Sequence, residues 1–273
     1  MKLKVWQAFS RAVASLHQSG ILRTDLDDVN RAIYDPVADM VNFSRRSQAA
    51  ATRRHPATVD DLARNLVPLM QFVVGSKKDE GGSDIWQVFE ESYTEAMDQR
   101  GPQVIARLRV LRGELRRASE LNMKALGLAH LGKLEEARAA FQESIRVREE
   151  SGDDEGACRT LCNLALLSAD ARDFDTAFTD VDRAVATARE HGRTTGLCLA
   201  LFQKGLLLNR QGKRDAALQQ VDLAIRTWEG TGQPLPAQFV SLSNMLRKGT
   251  DKDLTGPGTE ISVENGEIDE PHA

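Results

Sequence analysis

Cysteine is scarce in this chain: Cys158, Cys162 and Cys198 are the only three, an odd number that cannot pair off completely. So sparse a use excludes a small disulfide-stapled scaffold and fits a reducing, cytoplasmic compartment. Long apolar runs are also missing. No segment approaches the ~18 unbroken apolar residues of a membrane helix. Gln7, Ser10 and Arg11 interrupt the N-terminal stretch that would otherwise suit a secretory signal. There is no excess of positive charge: 36 Lys and Arg against 40 Asp and Glu leave a formal net charge of -4, which argues against a general nucleic-acid binder.

The signatures of catalysis are absent as well. Neither HExxH, GxSxG nor a GxxxxGK[ST] phosphate loop occurs, and His17, His55, His130, His191 and His272 are scattered through unrelated segments. The cysteines offer no close Cys-x-x-Cys pair and no fourth ligand, so they read as small buried apolar side chains. The expectation is a protein with no catalytic residues, no cofactor and no metal site. An active site without a known motif, placed in the N-terminal region, is the remaining enzymatic reading.

What is present is apolar material in regular order. The chain has 273 residues, 41% of them hydrophobic, which suffices for a continuous core without staples. Three segments align without gaps: LNMKALGLAHLGKLEEARAAFQESI from Leu121, LCNLALLSADARDFDTAFTDVDRAV from Leu161 and LFQKGLLLNRQGKRDAALQQVDLAI from Leu201, each start 40 positions after the last. The same step links Ala137, Ala177 and Ala217, then Phe141, Val181 and Val221, and also Gly152, Gly192 and Gly232. Small residues recur where two helices must approach, and bulky ones where the next unit packs. Within each copy a first helix carries Leu and Ala or Gly, a turn follows, and a second helix opens on acidic residues. The turns are Leu131-Gly132-Lys133, Ala171-Arg172-Asp173 and Gln211-Gly212-Lys213. Glycine in two of them suits a helix end at positive φ. Glu135, Glu136, Asp175 and Asp215 favour the positive ends of the following helix dipoles.

This pattern resembles the tetratricopeptide repeat, over roughly Ala118 to Gly230. The family's usual unit is about 34 residues. The 40-residue step here is similar to the longer-helix variety of kinesin light chains and bacterial peptide-sensing regulators. Leu128, Ser168 and Leu208 stand where the family has Tyr, and no Pro closes the first two units. The resemblance implies a superhelical stack of helical hairpins, and the apolar stripes before it an N-terminal helical bundle, an all-α fold as a whole. It also implies that ligands lie along the first helices. Carried over position by position, that surface comprises Asn122, Leu126 and Ala129, then Cys162, Leu166 and Ala169, then Phe202, Leu206 and Asn209. Such a mainly apolar trough suits an amphipathic helix or apolar peptide, with Asn122 and Asn209 fixing its orientation. Alternatively, the chain's own N-terminal bundle or C-terminal helix fills it.

The flanks follow a different pattern. Val5, Phe9, Val13 and Leu16 form one helical stripe, and Thr58 with Asp61 caps a helix bearing Leu62, Leu66, Leu69 and Val73, in which Pro68 predicts a kink. Ile85, Trp86, Phe89, Tyr93 and Ala96 make a third stripe, and Pro102 begins a helix running to Leu131, with Gly113 its weak point. Arg109, Arg112 and Arg116 on that helix read as a solvated flank. After Pro234 and Pro236, Phe239, Leu242, Met245 and Leu246 predict a final helix that caps the stack. The resulting division is an N-terminal bundle over 1–101, a connecting helix over 102–117, the repeat domain over 118–248, and an acidic disordered tail over 249–273. The function these features predict is recruitment of a protein or peptide partner by an adaptor or regulatory subunit. The alternative is a peptide-responsive regulator whose N-terminal bundle contacts an effector protein or DNA, with Arg45, Arg46, Arg53, Arg54 and His55 as a basic cluster for phosphates.

Overall fold

The computed structural model describes residues 2–23, 32–35, 38–43, 51–53, 57–75, 82–231 and 234–248. The acidic segment from 249 onward and Arg45, Arg46, Arg54 and His55 of the basic cluster lie outside the described residues. The chain divides into two units, one through Gly113 and the other from Glu114.

In the first unit, α1 (Lys2–Gln18) buries Phe9 and Val13, and α2 (Val59–Gly75) buries Leu62, Leu66 and Leu69. A reciprocal capping box starts α2. Asp61 N donates to Thr58 Oγ1 at 3.1 Å while Thr58 N donates to Asp61 Oδ2 at 3.0 Å, satisfying donors that a helix start leaves free. Next, α3 (Gly82–Ala96) stacks Trp86 on Phe89 and Phe89 on Tyr93, and a 3-10 turn over Asp98–Arg100 leads into α4 (Gly101–His130). Val104, Leu108 and Leu111 complete this core. Its polar element is His17, 1% exposed, placed between Tyr93 and Asn65.

The described residues of this unit are mainly helical but also form four short strands that the apolar stripes did not predict. β1 (Ile21–Arg23) pairs antiparallel with β4 (Ala51–Arg53), Leu22 opposite Thr52. β2 (Ala32–Asp35) pairs antiparallel with β3 (Met40–Phe43), Tyr34 opposite Val41. Strands of three or four residues are too short to display alternation, and the partner of β1 is about 30 residues away in sequence, so no local pattern announces the pairing.

The second unit consists of hairpins stacked in chain order. The latter part of α4 pairs with α5 (Leu134–Ser151), α6 (Asp154–Asp170) with α7 (Phe174–Glu190), and α8 (Thr194–Arg210) with α9 (Arg214–Glu229). α10 (Ala237–Lys248) packs on α9. All three hairpin turns close the same way. Lys133 N donates to Leu128 O, Asp173 N to Ser168 O and Lys213 N to Leu208 O, at 3.0, 2.9 and 2.9 Å. Gly132, Arg172 and Gly212 hold the left-handed position at φ 72°, 63° and 74°. This six-to-one bond with a left-handed residue satisfies a carbonyl that the helix end would leave orphaned. Asp153 and Asp173 accept from Gly156 N and Thr176 N as N-caps of α6 and α7.

The core runs from hairpin to hairpin. Ala125, Ala137, Phe141, Leu161, Leu164, Leu199, Ala217 and Val221 belong to one buried cluster. Ala165, Ala177, Val181 and Leu207 form a second, in which Leu207 of the third hairpin meets the small residues of the second. This nesting of equivalent positions is the physical cause of the 40-residue step.

Candidate partner-binding surface

The surface to be built lies along α4, α6 and α8, the first helices of the hairpins. Of its nine expected residues, Asn122, Leu126, Ala129, Leu166 and Asn209 are half-buried. Cys162, Ala169, Phe202 and Leu206 are buried. The reason for the difference is the next unit in the stack. Cys162, Phe202 and Leu206 join the main core cluster, and Leu126 and Ala129 pack against it from its edge. Phe202 is covered by the chain itself: Phe239 of α10 stacks on it at 4.4 Å between ring centroids, and Trp228 meets Phe239 edge-on. The C-terminal helix therefore occupies the part of the trough contributed by Phe202.

What remains accessible is a strip along α4 and α6 that carries Leu126, Ala129 and Leu166, with Asn209 on α8. A polar contact crosses between the first two helices, where Asn163 Nδ2 donates to Asn122 Oδ1 at 3.2 Å. Asn163 was missed in the sequence, although it adjoins Cys162 and recurs as a polar position with Gln203. At the C-terminal ends of α6 and α8, Arg210 pairs with Asp170 at 2.6 Å.

A second set of bonds fixes the opposite ends of these helices. Glu155 Oε2 accepts from Gly196 N at 3.0 Å, tying α6 to the first turn of α8, and Arg193 pairs with Asp154 at 3.3 Å. Burial pushes the Glu155 and Asp154 carboxyls up from the ordinary range, against the pull of Arg159 and Arg193. For Asp153 burial acts the same way, but Arg148, the Gly156 N–H and Arg159 outweigh it, and its carboxyl is held low.

All three cysteines are buried and free. Burial, aided by Glu155 and neighbouring carboxylates, pushes the Cys158 thiol to about 12, and burial with Glu155 does the same for Cys198. The Cys158 Sγ–H donates to Ala184 O at 3.4 Å. Thiols so disfavoured as thiolates pack rather than react. Among the described residues no group of three His, Cys, Asp or Glu is placed to hold a metal ion, and no described helix is long and apolar enough to cross a membrane.

The tetratricopeptide repeat family profile matches residues 115–190, which span the first two hairpins. The chain carries tetratricopeptide repeats. Comparison with curated proteins gives no match. The third hairpin and α10 lie beyond the matched residues, yet the third hairpin keeps the same step and turn geometry. Tetratricopeptide repeats are in general a protein-interaction fold, typically a non-catalytic scaffold. The family's aromatic position is answered here by Ser168, whose buried hydroxyl donates to Leu164 O at 3.2 Å.

Proposed function

We propose that the second unit recruits a protein or peptide partner through the strip along α4, α6 and α8, as an adaptor or regulatory subunit rather than an enzyme. The observation that carries this reading is the recurrence of Leu126 and Leu166, half-buried and one unit apart, beside the hydrogen-bonded pair Asn122 and Asn163. An extended or helical segment laid there would bury apolar area worth about 25 cal/mol per Å², while the amides would fix its direction. Cys162, Ala169 and Leu206 form the packed floor of this strip, and Phe202 belongs to its closed end under α10.

The test compares the full chain with a Leu126→Lys plus Leu166→Lys variant in affinity capture from native lysate, with helicity and melting temperature checked in parallel. Loss of specific co-purifying polypeptides from a folded variant supports the strip as the site. Unchanged recovery by a folded variant places binding elsewhere.

A further inference from the structure

The repeat register singles out one carboxylate. Forty positions before and after Glu155 stand Leu115 and Thr195, neither of which carries a charge, and Leu115 is buried. Glu155 is therefore a departure from the repeat, and it makes a contact that the repeat does not require. Its Oε2 accepts from Gly196 N at 3.0 Å, across the joint between the second and third hairpins. Gly156, the register equivalent of Gly196, donates instead to Asp153 of its own helix start. A Cβ on residue 196 would lie 3.1 Å from Oε2, so the glycine is what admits the carboxylate. The other oxygen, Oε1, is buried with no hydrogen-bond partner. A carboxylate with one oxygen stranded in this way is costly while it is ionised.

We infer that this joint is a proton-operated clasp, loose while Glu155 is ionised and tight once Oε1 takes up a proton, with Oε2 still accepting from Gly196 N. The surrounding groups set the direction. Burial opposes the charge and outweighs the attraction of Arg159 on α6, the Gly196 N–H and Arg193 before α8, while Asp153 repels it. The Cys158 and Cys198 thiols also face the carboxylate, from α6 and α8. Beside it, Asp154 lies 3.3 Å from Arg193 and 3.6 Å from His191 at the end of α7, and Asp153 pairs with Arg148 of α5. The Glu155 carboxyl is held above its ordinary range, so the folded chain binds the proton before the unfolded one does. Its contribution to stability is accordingly smallest at high pH and grows as pH falls through the folded value. The strip carrying Leu166 and Asn209 runs over the same two helices and moves with the clasp. That consequence rests on the partner-binding reading, whereas the clasp itself does not.

The test is amide hydrogen exchange on the full chain, read by mass spectrometry at the first turn of α8, which holds Gly196. It runs from about pH 8 to about pH 5, above the ordinary glutamate value of about 4.3, with rates corrected for the intrinsic pH dependence of exchange. Protection in the wild type is expected to rise as pH falls, by up to about tenfold per pH unit. Glu155→Gln cannot ionise, and its protection is expected to stay constant across the range. Asp154→Asn removes the neighbouring carboxyl that burial also raises, and is expected to keep the wild-type trend. Wild-type protection that is flat or falls with acid overturns the proposal. So does a Glu155→Gln variant that keeps the wild-type trend, and loss of the trend in Asp154→Asn alone assigns the clasp to Asp154 instead. Should the Gln variant fail to fold, Glu155→Leu, which restores the apolar side chain found at Leu115, is read by the same criteria. Partner capture plays no part in this readout, so a failed strip and a failed clasp are told apart.

Discussion

Phe239 of α10 lies flat on Phe202 of α8, its ring inclined by only 9° at 4.4 Å. This contact turns a short C-terminal helix into the lid of the repeat. It closes a face of α8 that the first-helix pattern, taken alone, assigns to a ligand. Replacing Phe239 with Ala removes a fully buried ring and is expected to destabilise the second unit by about 3–5 kcal/mol. Urea unfolding of the full chain followed through Trp228 fluorescence, in a background where Trp6 and Trp86 are Phe, measures it. A loss under about 1 kcal/mol would show that α10 is not an integral part of the core.

The middle hairpin turn carries a correctable defect. Arg172 sits at φ 63°, where the other two copies have Gly132 and Gly212 at nearly the same angle. A side chain in the left-handed region costs about 1 kcal/mol, and exposed Arg172 makes no ion pair among the described residues in return. Arg172→Gly is therefore expected to raise stability by about 0.5–1 kcal/mol, read as a higher urea midpoint with unchanged slope.

Two glycines should respond oppositely to the same substitution. A Cβ at Gly205 would lie 2.6 Å from Val221 Cγ2 and 3.2 Å from Ala217 O, whereas one at Gly113 would meet nothing within 4 Å. Gly205→Ala overpacks the α8–α9 contact and should cost about 1–3 kcal/mol. Gly113→Ala, in the middle of α4, should add about 0.5–1 kcal/mol through helix propensity. Thermal melts of the two variants should move in opposite directions from the wild type.

Acid should weaken the first unit through His17. Asn65 Nδ2 donates to Arg23 O and Asn65 Oδ1 accepts from Arg23 N, so Oδ1 is the atom facing His17 Nε2 at 3.0 Å. Nε2 therefore carries the proton, and bare Nδ1 accepts from the Tyr93 hydroxyl at 2.7 Å. Burial lowers the pKa from 6.5 to about 4, against the Asn65 bond that raises it, with Arg100 lowering it further. Because the folded pKa lies below the unfolded one, the unfolded chain takes up the proton first as pH falls. Stability is full above about pH 6.5 and declines toward pH 4, by up to about 3 kcal/mol. His17→Gln keeps polar partners but cannot titrate. Its unfolding free energy should change less than that of the wild type between about pH 7 and pH 4.5.

Asp153 combines a cap and a charge, and its two conservative replacements separate them. It is 2% exposed, accepts from Gly156 N at 2.9 Å and pairs with Arg148. Asp153→Ala removes the cap and leaves the largely buried Arg148 without its carboxylate, an expected loss of about 3–5 kcal/mol. Asp153→Asn keeps the cap and should lose measurably less. Chemical denaturation of both variants at neutral pH decides the order, and equal losses would assign the whole effect to the charge.

The sequence alone determined the hairpins, their order and their turns. Ala137, Ala177 and Ala217 recur because each fills the same contact between two helices, and periodic packing prints a periodic residue pattern. Thr58 and Asp61 were legible for a similar reason: a cap is satisfied by neighbours in the chain. Tertiary structure decided what lies far apart in sequence. The pairing of Ile21–Arg23 with Ala51–Arg53 joins segments about 30 residues apart in sequence, which no local periodicity records. Equally, Phe202 and Asn122 hold equivalent surface positions by register, yet Phe202 is buried under a helix that begins after Pro236, while Asn122 stays partly open. Spacing specifies which face a residue occupies; only the packed fold specifies what covers that face.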